Sequence, residues 1–109
     1  MIKDPRPTVW IPNKGALDYS SAEEFGDIVY LTEGYIDRFQ TGMLYRTLAV
    51  QLDQAKKNDY WMITSFTVIN AIGTAILSRK FGIINFLLWK EHAYIERQLV
   101  IDNLLTVNV

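Results

Sequence analysis

The chain has 109 residues, of which half are hydrophobic and 21% are charged. Eleven lysines and arginines face twelve aspartates and glutamates, a balance that argues against a dedicated nucleic-acid coat or a polybasic membrane anchor. The apolar content excludes a disordered chain, and the length predicts a single domain, 1–109. Because the chain has no cysteine, it has no disulfides, no thiolate zinc site and no cysteine nucleophile. Because it has one histidine, a metal site with several histidines within one chain is excluded as well.

Apolar runs and turn residues predict strands and helices that alternate along the chain. Short β-branched and aromatic runs are typical of strands, and apolar residues every three or four positions are typical of helices. We expect a flexible N-terminal arm, 1–7, and a C-terminal tail, 102–109. The predicted elements are a strand at 8–11, a short helix at 18–26, a strand at 28–31, a helix at 42–56, a strand at 60–63, a helix at 66–80, and a hairpin of strands at 83–89 and 94–101.

Local residue choices set the expected ends of these elements. Pro12 should stop the first strand, because proline lacks the amide needed for sheet pairing. Ser20 and Glu23 have capping-box spacing, and Gly26 suits the position after a helix. Residues 64–65 should end the third strand and cap the helix that follows.

The alternation of strands and helices predicts an α/β fold. We expect a two- or three-layer, mainly parallel sheet of four or five strands, with right-handed crossovers and a C-terminal antiparallel hairpin. Residues 61–78 carry no charge and approach the length of a membrane span. Their polar side chains and strand-like start disfavour a spanning helix, so a membrane-associated protein spanning near 61–78 is kept as an alternative.

Ligands of parallel sheets bind at the carboxyl ends of the strands, near a reversal in strand order. Polar residues follow three of the predicted strands, and ordinary caps and turns use the same residue types. A nucleotide or small-molecule site at the strand ends is therefore an alternative function. Its candidate ligand-binding residues are Asn13, Lys14, Thr32, Glu33, Gly34, Thr64 and Ser65.

No catalytic set is recognisable in the chain. His92 falls in a predicted hairpin turn, and the six glycines are scattered, so no glycine-rich phosphate loop can be written. We therefore expect a non-enzymatic protein without a metal or other cofactor.

The stretch IVYLTEGYID, from Ile28 to Asp37, resembles the first motif of Toprim domains, in which a strand ends in Glu-Gly and an Asp follows. That resemblance implies a general acid/base role for Glu33 near magnesium. The family places an Asp-x-Asp metal motif at the end of the next strand, where this chain has ITSFT at 63–67. Hard cations prefer clustered oxygen ligands that include carboxylates, so the resemblance stops at the first motif.

A looser resemblance covers most of the chain. A Pro-Asn turn, Asp-Tyr-Ser, Phe-Gly, Leu-Thr-Glu-Gly and a later Asp-Tyr before the third strand occur in an order similar to that of small α/β proteins encoded by tailed bacteriophages. The resemblance implies a viral protein in the host cytoplasm. It implies no catalytic motif and no activity.

Three tryptophans, six tyrosines and five phenylalanines exceed what so small a core readily buries. The tryptophans fall in predicted strands and should pack the sheet. Tyrosines on loops, helix faces or the sheet edge form a candidate interface: Tyr19, Tyr35, Tyr45 and Tyr94. We expect an accessory or interaction protein that forms a homo-oligomer or binds a protein partner, and we do not expect it to bind nucleic acid or membranes.

Overall fold

The computed structural model describes residues 5–101, and the predicted tail and the start of the predicted arm lie outside them. A short 3₁₀ helix, Ser20–Glu24, lies between the first two strands. The strands are β1 (Thr8–Lys14), β2 (Asp27–Glu33), β3 (Tyr60–Met62), β4 (Ile83–Lys90) and β5 (Ala93–Val100), and the helices are α1 (Thr41–Leu52) and α2 (Thr67–Phe81).

The five strands form one sheet in the order β2-β1-β3-β4-β5. β1 to β4 are parallel, and β5 pairs antiparallel with β4. The predicted α/β fold with a C-terminal hairpin is confirmed. The chain moves one way across the sheet from β1 to β2 and the other way from β2 through β3 to β4. Right-handed crossovers therefore place the first connection on the face opposite the two helices.

The sheet has a hydrophobic core on each face, so the molecule has three layers. Beneath α1 and α2, Trp61 of β3 packs in a cluster with Leu48 and Ile69. On the other face, Ile11 and Met62 belong to the cluster that contains Tyr19 and Ala22 of the β1–β2 connection. Successive residues of the central strands enter different cores, which explains why these strands are apolar without alternation.

Helix α1 buries one stripe of leucines, at Leu44, Leu48 and Leu52, as its spacing predicts. It ends at Leu52 and not near residue 56. Lys80 of α2 donates hydrogen bonds from Nζ to the carbonyls of Leu52 at 2.9 Å, Asp53, and Ala55 at 3.3 Å. An ammonium group thus bonds to carbonyls at the C-terminal end of α1 and in the turn after it, where positive charge also complements the helix dipole.

Strand β1 continues past Pro12, where it was expected to stop. β3 pairs only with Val9 and Trp10, so beyond Trp10 the strand is no longer paired on both sides. A residue without an amide donor is tolerated in such a position. The carbonyl oxygen of Pro12 accepts a hydrogen bond from Thr32 Oγ1 at 2.7 Å, which ties it to β2.

The predicted helix at 18–26 is instead a single 3₁₀ turn. At its start, Asp18 Oδ1 accepts a hydrogen bond from the Ser20 amide at 2.9 Å. The side chain of the residue before the 3₁₀ helix does not cap it. Gly26 does not serve as a left-handed helix stop. A Cβ at Gly26 would collide with the carbonyl of Pro7, so glycine is needed there for the close approach of two chain segments.

Residues at the end of the predicted arm are bound to the start of β2. The Pro7 carbonyl accepts a hydrogen bond from the Asp27 amide at 2.9 Å. Arg6 Nη1 lies 3.3 Å from Asp27 Oδ1, and Arg6 Nη2 donates to the Glu23 carbonyl. These contacts hold residues 6–7 against the connection between β1 and β2.

Candidate functional site

The parallel strands β1 to β4 all end at one edge of the sheet, which we call the carboxyl edge. Loop 15–19 follows β1 there, loop 34–40 follows β2, and residues 63–66 follow β3. The direction in which the chain crosses the sheet reverses between β1 and β3. In open α/β sheets such a reversal opens a crevice outside the strand ends, and that crevice is the usual ligand site.

A cleft of about 370 Å³ opens at this edge. It lies between the loop after β1, the end of β3 and the β4–β5 hairpin, and its volume falls within the range of small-molecule sites. The described residues that line it are Leu17, Asp18, Tyr19, Met62, Ile63, Thr64, Trp89 and Tyr94.

Tyr19 and Thr64 join two walls of the cleft, because the Tyr19 hydroxyl and Thr64 Oγ1 form a hydrogen bond of 2.9 Å. The turn that carries Thr64 is held by Asn70 of α2. Asn70 Oδ1 accepts from the Thr64 amide at 3.3 Å, and its Nδ2 donates to the carbonyls of Thr64 and Phe66. Ser65 in this turn has a left-handed φ of 67°, and the residue before α2 makes no side-chain cap. The expected capping of α2 by residues 64–65 is therefore wrong, and it is Asn70 that stabilises the turn before the helix.

Trp89 and Tyr94 form an aromatic wall of the cleft. They lie opposite each other in the β4–β5 register, and their ring centroids are 4.9 Å apart with the planes at 66°. Trp89 is 58% exposed. Burial and the neighbouring Tyr19 and Asp18 raise the pKa of Tyr94, and a hydrogen bond with Ser21 offsets this in part. The net effect is a raised pKa, so the Tyr94 hydroxyl is uncharged at neutral pH.

Asp18 supplies the charge of the cleft, since no other charged side chain among the described residues lines it. The hydrogen bond from the Ser20 amide holds the pKa of Asp18 below its usual value, so the carboxyl group is ionised at neutral pH. This charge also contributes, after burial, to a raised pKa of Tyr30. The cleft is therefore mainly apolar and aromatic, with one negative group.

Five of the predicted ligand-binding residues lie together at the ends of β1 and β2, beside the cleft and not in it. The single hydroxyl proton of Thr32 is shared between the Pro12 carbonyl and Asn13 Oδ1, which lies 2.9 Å from Thr32 Oγ1, and Asn13 Nδ2 donates to the Gly34 carbonyl at 3.0 Å. The Gly34 amide donates to the Lys14 carbonyl at 3.1 Å, and Lys14 is paired in register with the exposed Glu33. Most of these polar groups are thus used in joining the strand ends.

Thr64 and Ser65 lie at the end of β3, and Thr64 is the one predicted ligand-binding residue that lines the cleft. Applying the strand-end rule to the fourth strand as well would have found Trp89. No sequence pattern pointed to Leu17 and Asp18 of loop 15–19, because the position of that loop at the cleft depends on the strand order. The lining residues absent from both sets of predicted site residues are Leu17, Asp18, Met62, Ile63 and Trp89.

The four tyrosines predicted at an interface have different surroundings. Tyr35 is 91% exposed on the loop after β2, and Tyr45 is 55% exposed beside a groove between α1 and α2. Tyr19 is buried and Tyr94 is half-buried, and both line the cleft. Tyr35 and Tyr45 are therefore the freely accessible members of the set.

The pair Glu33 and Asp37 lies exposed at the start of loop 34–40, where Asp37 Oδ1 accepts a hydrogen bond from the Phe39 amide at 2.9 Å. Within residues 5–101, no group of three or more His, Asp or Glu residues is placed to hold a metal ion. In the same part of the chain, no helix has the length and apolar character needed to cross a bilayer.

Comparison with known proteins places the chain in a family. A family model described as Phage Pam3 gp32-like protein matches residues 7–102. The chain belongs to that family. This supports the phage origin expected from the looser sequence resemblance, and the matched family is not the Toprim family. Searches of curated proteins and of solved structures found no match.

In this member of the phage Pam3 gp32-like family, exposed large apolar side chains are concentrated at the carboxyl edge. Nine such side chains occur among the described residues. Three lie elsewhere, Tyr45 and Val50 on α1 and Leu99 near the opposite end of the sheet. Five of the other six lie at the carboxyl edge, Leu17, Tyr35, Phe39, Ile63 and Trp89, and the sixth, Met43, lies in the first turn of α1, which begins next to that edge.

Proposed function

We propose that this protein is a non-enzymatic interaction protein that docks on a protein partner through the carboxyl edge of its sheet. The supporting observation is the concentration of exposed apolar side chains there, with Tyr35 91% and Phe39 84% exposed. Soluble proteins expose single apolar residues everywhere, but a clustered set marks a binding surface. The cleft shares Leu17, Ile63 and Trp89 with this set and supplies a concave site of the kind in which interface anchors are usually buried.

A site-specific cross-linking experiment tests the docking surface. The photoreactive amino acid p-benzoylphenylalanine replaces Phe39 at the carboxyl edge or, as control, Val50, which is 74% exposed on α1 and away from that edge. Both variants are produced in cells infected with the parent phage and irradiated. We expect a discrete cross-linked product from position 39 and none from position 50. No product from position 39, or a product from position 50 alone, would contradict the proposal.

The mass of the cross-linked product identifies the partner class. A product of twice the chain mass indicates a homo-oligomer, and any other mass indicates a different protein. Sedimentation of the purified chain at several concentrations gives the same distinction without the cross-linker. A monomer at all concentrations, together with a heavier product in infected cells, assigns the surface to a different protein.

A second candidate function, nucleotide or small-molecule binding, is favoured by the reversal of strand order beside the cleft. A thermal-shift screen with nucleotides, with and without magnesium, tests it. If a nucleotide raises the Tm, Thr64→Ala should remove the rise because Thr64 lines the cleft. Glu33→Ala should leave the rise intact because Glu33 lies outside it. A screen without any rise in Tm would remove this candidate.

A further inference from the structure

We infer that the cleft receives a basic side chain, an arginine or a lysine, from the partner protein. The inference rests on the proposed docking through the carboxyl edge and names the chemistry recognised at its centre. Three features carry it: aromatic rings that line the cleft, a single negative charge among its described lining residues, and an exposed apolar rim.

The aromatic lining suits a cation. Trp89, Tyr94 and Tyr19 all line one cleft, and the electron-rich faces of aromatic rings attract ammonium and guanidinium groups. This chain makes the same contact elsewhere within itself. Lys14 Nζ lies 5.6 Å from the centroid of the Tyr30 ring, and the guanidinium carbon of Arg38 lies 6.0 Å from that of Phe66.

Charge complementarity points the same way. Asp18 is ionised and lines the cleft, and no basic side chain among the described residues lines it. The ion pair within those residues joins Arg6 to Asp27, so Asp18 has no basic side chain of residues 5–101 in salt-bridge contact. A basic group entering the cleft would gain both the carboxylate and the rings, whereas an acidic group would meet repulsion.

The rim indicates that the cation is carried by a polypeptide. Leu17, Ile63 and Trp89 around the cleft are 70%, 41% and 58% exposed. A small free amine would occupy the cleft and leave this apolar rim in water. A polypeptide that inserts one basic side chain would also cover the rim with its neighbouring residues, which buries apolar area on both partners.

Peptide titrations followed at single tryptophans test the inference. The protein is labelled with 5-fluorotryptophan, and Trp89→Phe assigns the Trp89 fluorine resonance. The probes are the acetylated, amidated tripeptide Leu-Arg-Leu and the same peptide with citrulline, an uncharged isostere of arginine. We expect Leu-Arg-Leu to shift the Trp89 resonance and not those of the buried Trp10 and Trp61. We expect citrulline to weaken binding about tenfold, as loss of a charged contact does.

Variants separate charge recognition from general apolar docking. Asp18→Asn retains a side-chain oxygen that can accept from the Ser20 amide but removes the charge, and it should weaken binding of the arginine peptide about fivefold to tenfold. The matched control, Glu23→Gln, changes an exposed carboxylate in the same connection that does not line the cleft, and it should leave binding unchanged. Higher salt should weaken binding to the native protein.

Four results would overturn the inference: equal binding of the citrulline peptide, preference for Leu-Glu-Leu, binding of free arginine amide as tightly as the peptide, or no binding of any peptide. Equal binding of the citrulline peptide would still leave docking through the apolar carboxyl edge intact. Failure of the Phe39 cross-link would remove the docking surface itself. The two proposals therefore fail on different measurements.

Discussion

The indole nitrogen of Trp10 donates a hydrogen bond to Asp59 Oδ2 at 3.0 Å, between β1 and the residue that precedes β3. Asp59 is 8% exposed, and its carboxylate also accepts from the backbone amides of Thr8 at 2.9 Å and Lys56 at 2.8 Å. One side chain thus joins the starts of two neighbouring strands to the loop after α1. It organises the end of the sheet opposite the cleft.

Asp59→Ala should lower the free energy of unfolding by about 2–4 kcal/mol, because three donors would lose the same buried acceptor. Urea denaturation measures the change. Asp53→Ala provides the control, since it removes an exposed carboxylate just after α1, and it should change stability by less than about 0.5 kcal/mol. Equal effects of the two substitutions would contradict this role of Asp59.

Gly73 of α2 packs against the face of the sheet that carries Trp61, and a Cβ there would collide with the Trp61 ring. Gly73→Ala should therefore destabilise the protein by about 1–3 kcal/mol, despite the better helix propensity of alanine. Gly42→Ala in α1 has room for its methyl group and should be neutral or stabilising. Trp61→Phe should recover part of the loss in the double variant, and purely additive effects in this cycle would contradict direct packing.

Lys80→Met should destabilise the protein by about 1 kcal/mol, because the carbonyls of Leu52, Asp53 and Ala55 would lose an ammonium donor. The methionine keeps the apolar stem, so the difference reports on the charge and its hydrogen bonds. Lys57→Met, at an exposed position in the α1–β3 loop, is the matched control and should have little effect on the urea midpoint.

The stability of the protein should fall above about pH 10. Burial, and a hydrogen bond to Glu96, raise the pKa of Tyr60 above its ordinary value of 10.0. Burial likewise raises the pKa values of Tyr30 and Tyr94. The folded state keeps these protons when the unfolded chain has begun to lose them. This stabilisation is therefore complete below pH 10 and is lost as the pH rises through the folded-state values.

Tyrosinate absorbance and urea denaturation across alkaline pH test this dependence. Glu96→Gln removes the neighbouring negative charge and should lower the pKa of Tyr60, so one tyrosine should titrate at lower pH than in the native protein. Glu24→Gln, an exposed change on the 3₁₀ helix, should leave the titration unaltered. A stability that stays constant to well above pH 10 would contradict the expectation.

The fold could be predicted because its main elements are encoded locally. The leucine stripe of α1 and the apolar strands correctly predicted the order of strands and helices along the chain, and the turn at Lys90–Ala93 predicted the hairpin. The errors came from tertiary contacts. Pro12 remains in β1 because β3 pairs with β1 only up to Trp10. Glycine is needed at Gly26 because the Pro7 carbonyl lies close to it, and not because a helix ends there. Asp59 directly precedes β3, and nothing local shows that three donors converge on its carboxylate.

The candidate site was only partly predictable, for a similar reason. The ends of the strands could be located from the sequence, which identified Thr64 as a candidate ligand-binding residue. Strand order could not be predicted from the sequence. The order β2-β1-β3-β4-β5 places the cleft beside β3 and β4 and away from Glu33. Asp18 and Leu17 belong to a loop whose path follows from that order.

Strand β5 closes one side of the sheet, and its sequence bears on how copies of the protein can meet. A two-fold axis perpendicular to the sheet would pair β5 antiparallel with its own copy, so one residue would lie opposite itself. In the two registers with the longest overlap, that residue is Glu96 or Arg97, and like charges would face each other. Joining of two sheets through symmetric pairing of their β5 strands is thereby discouraged, a hazard that an edge strand otherwise carries.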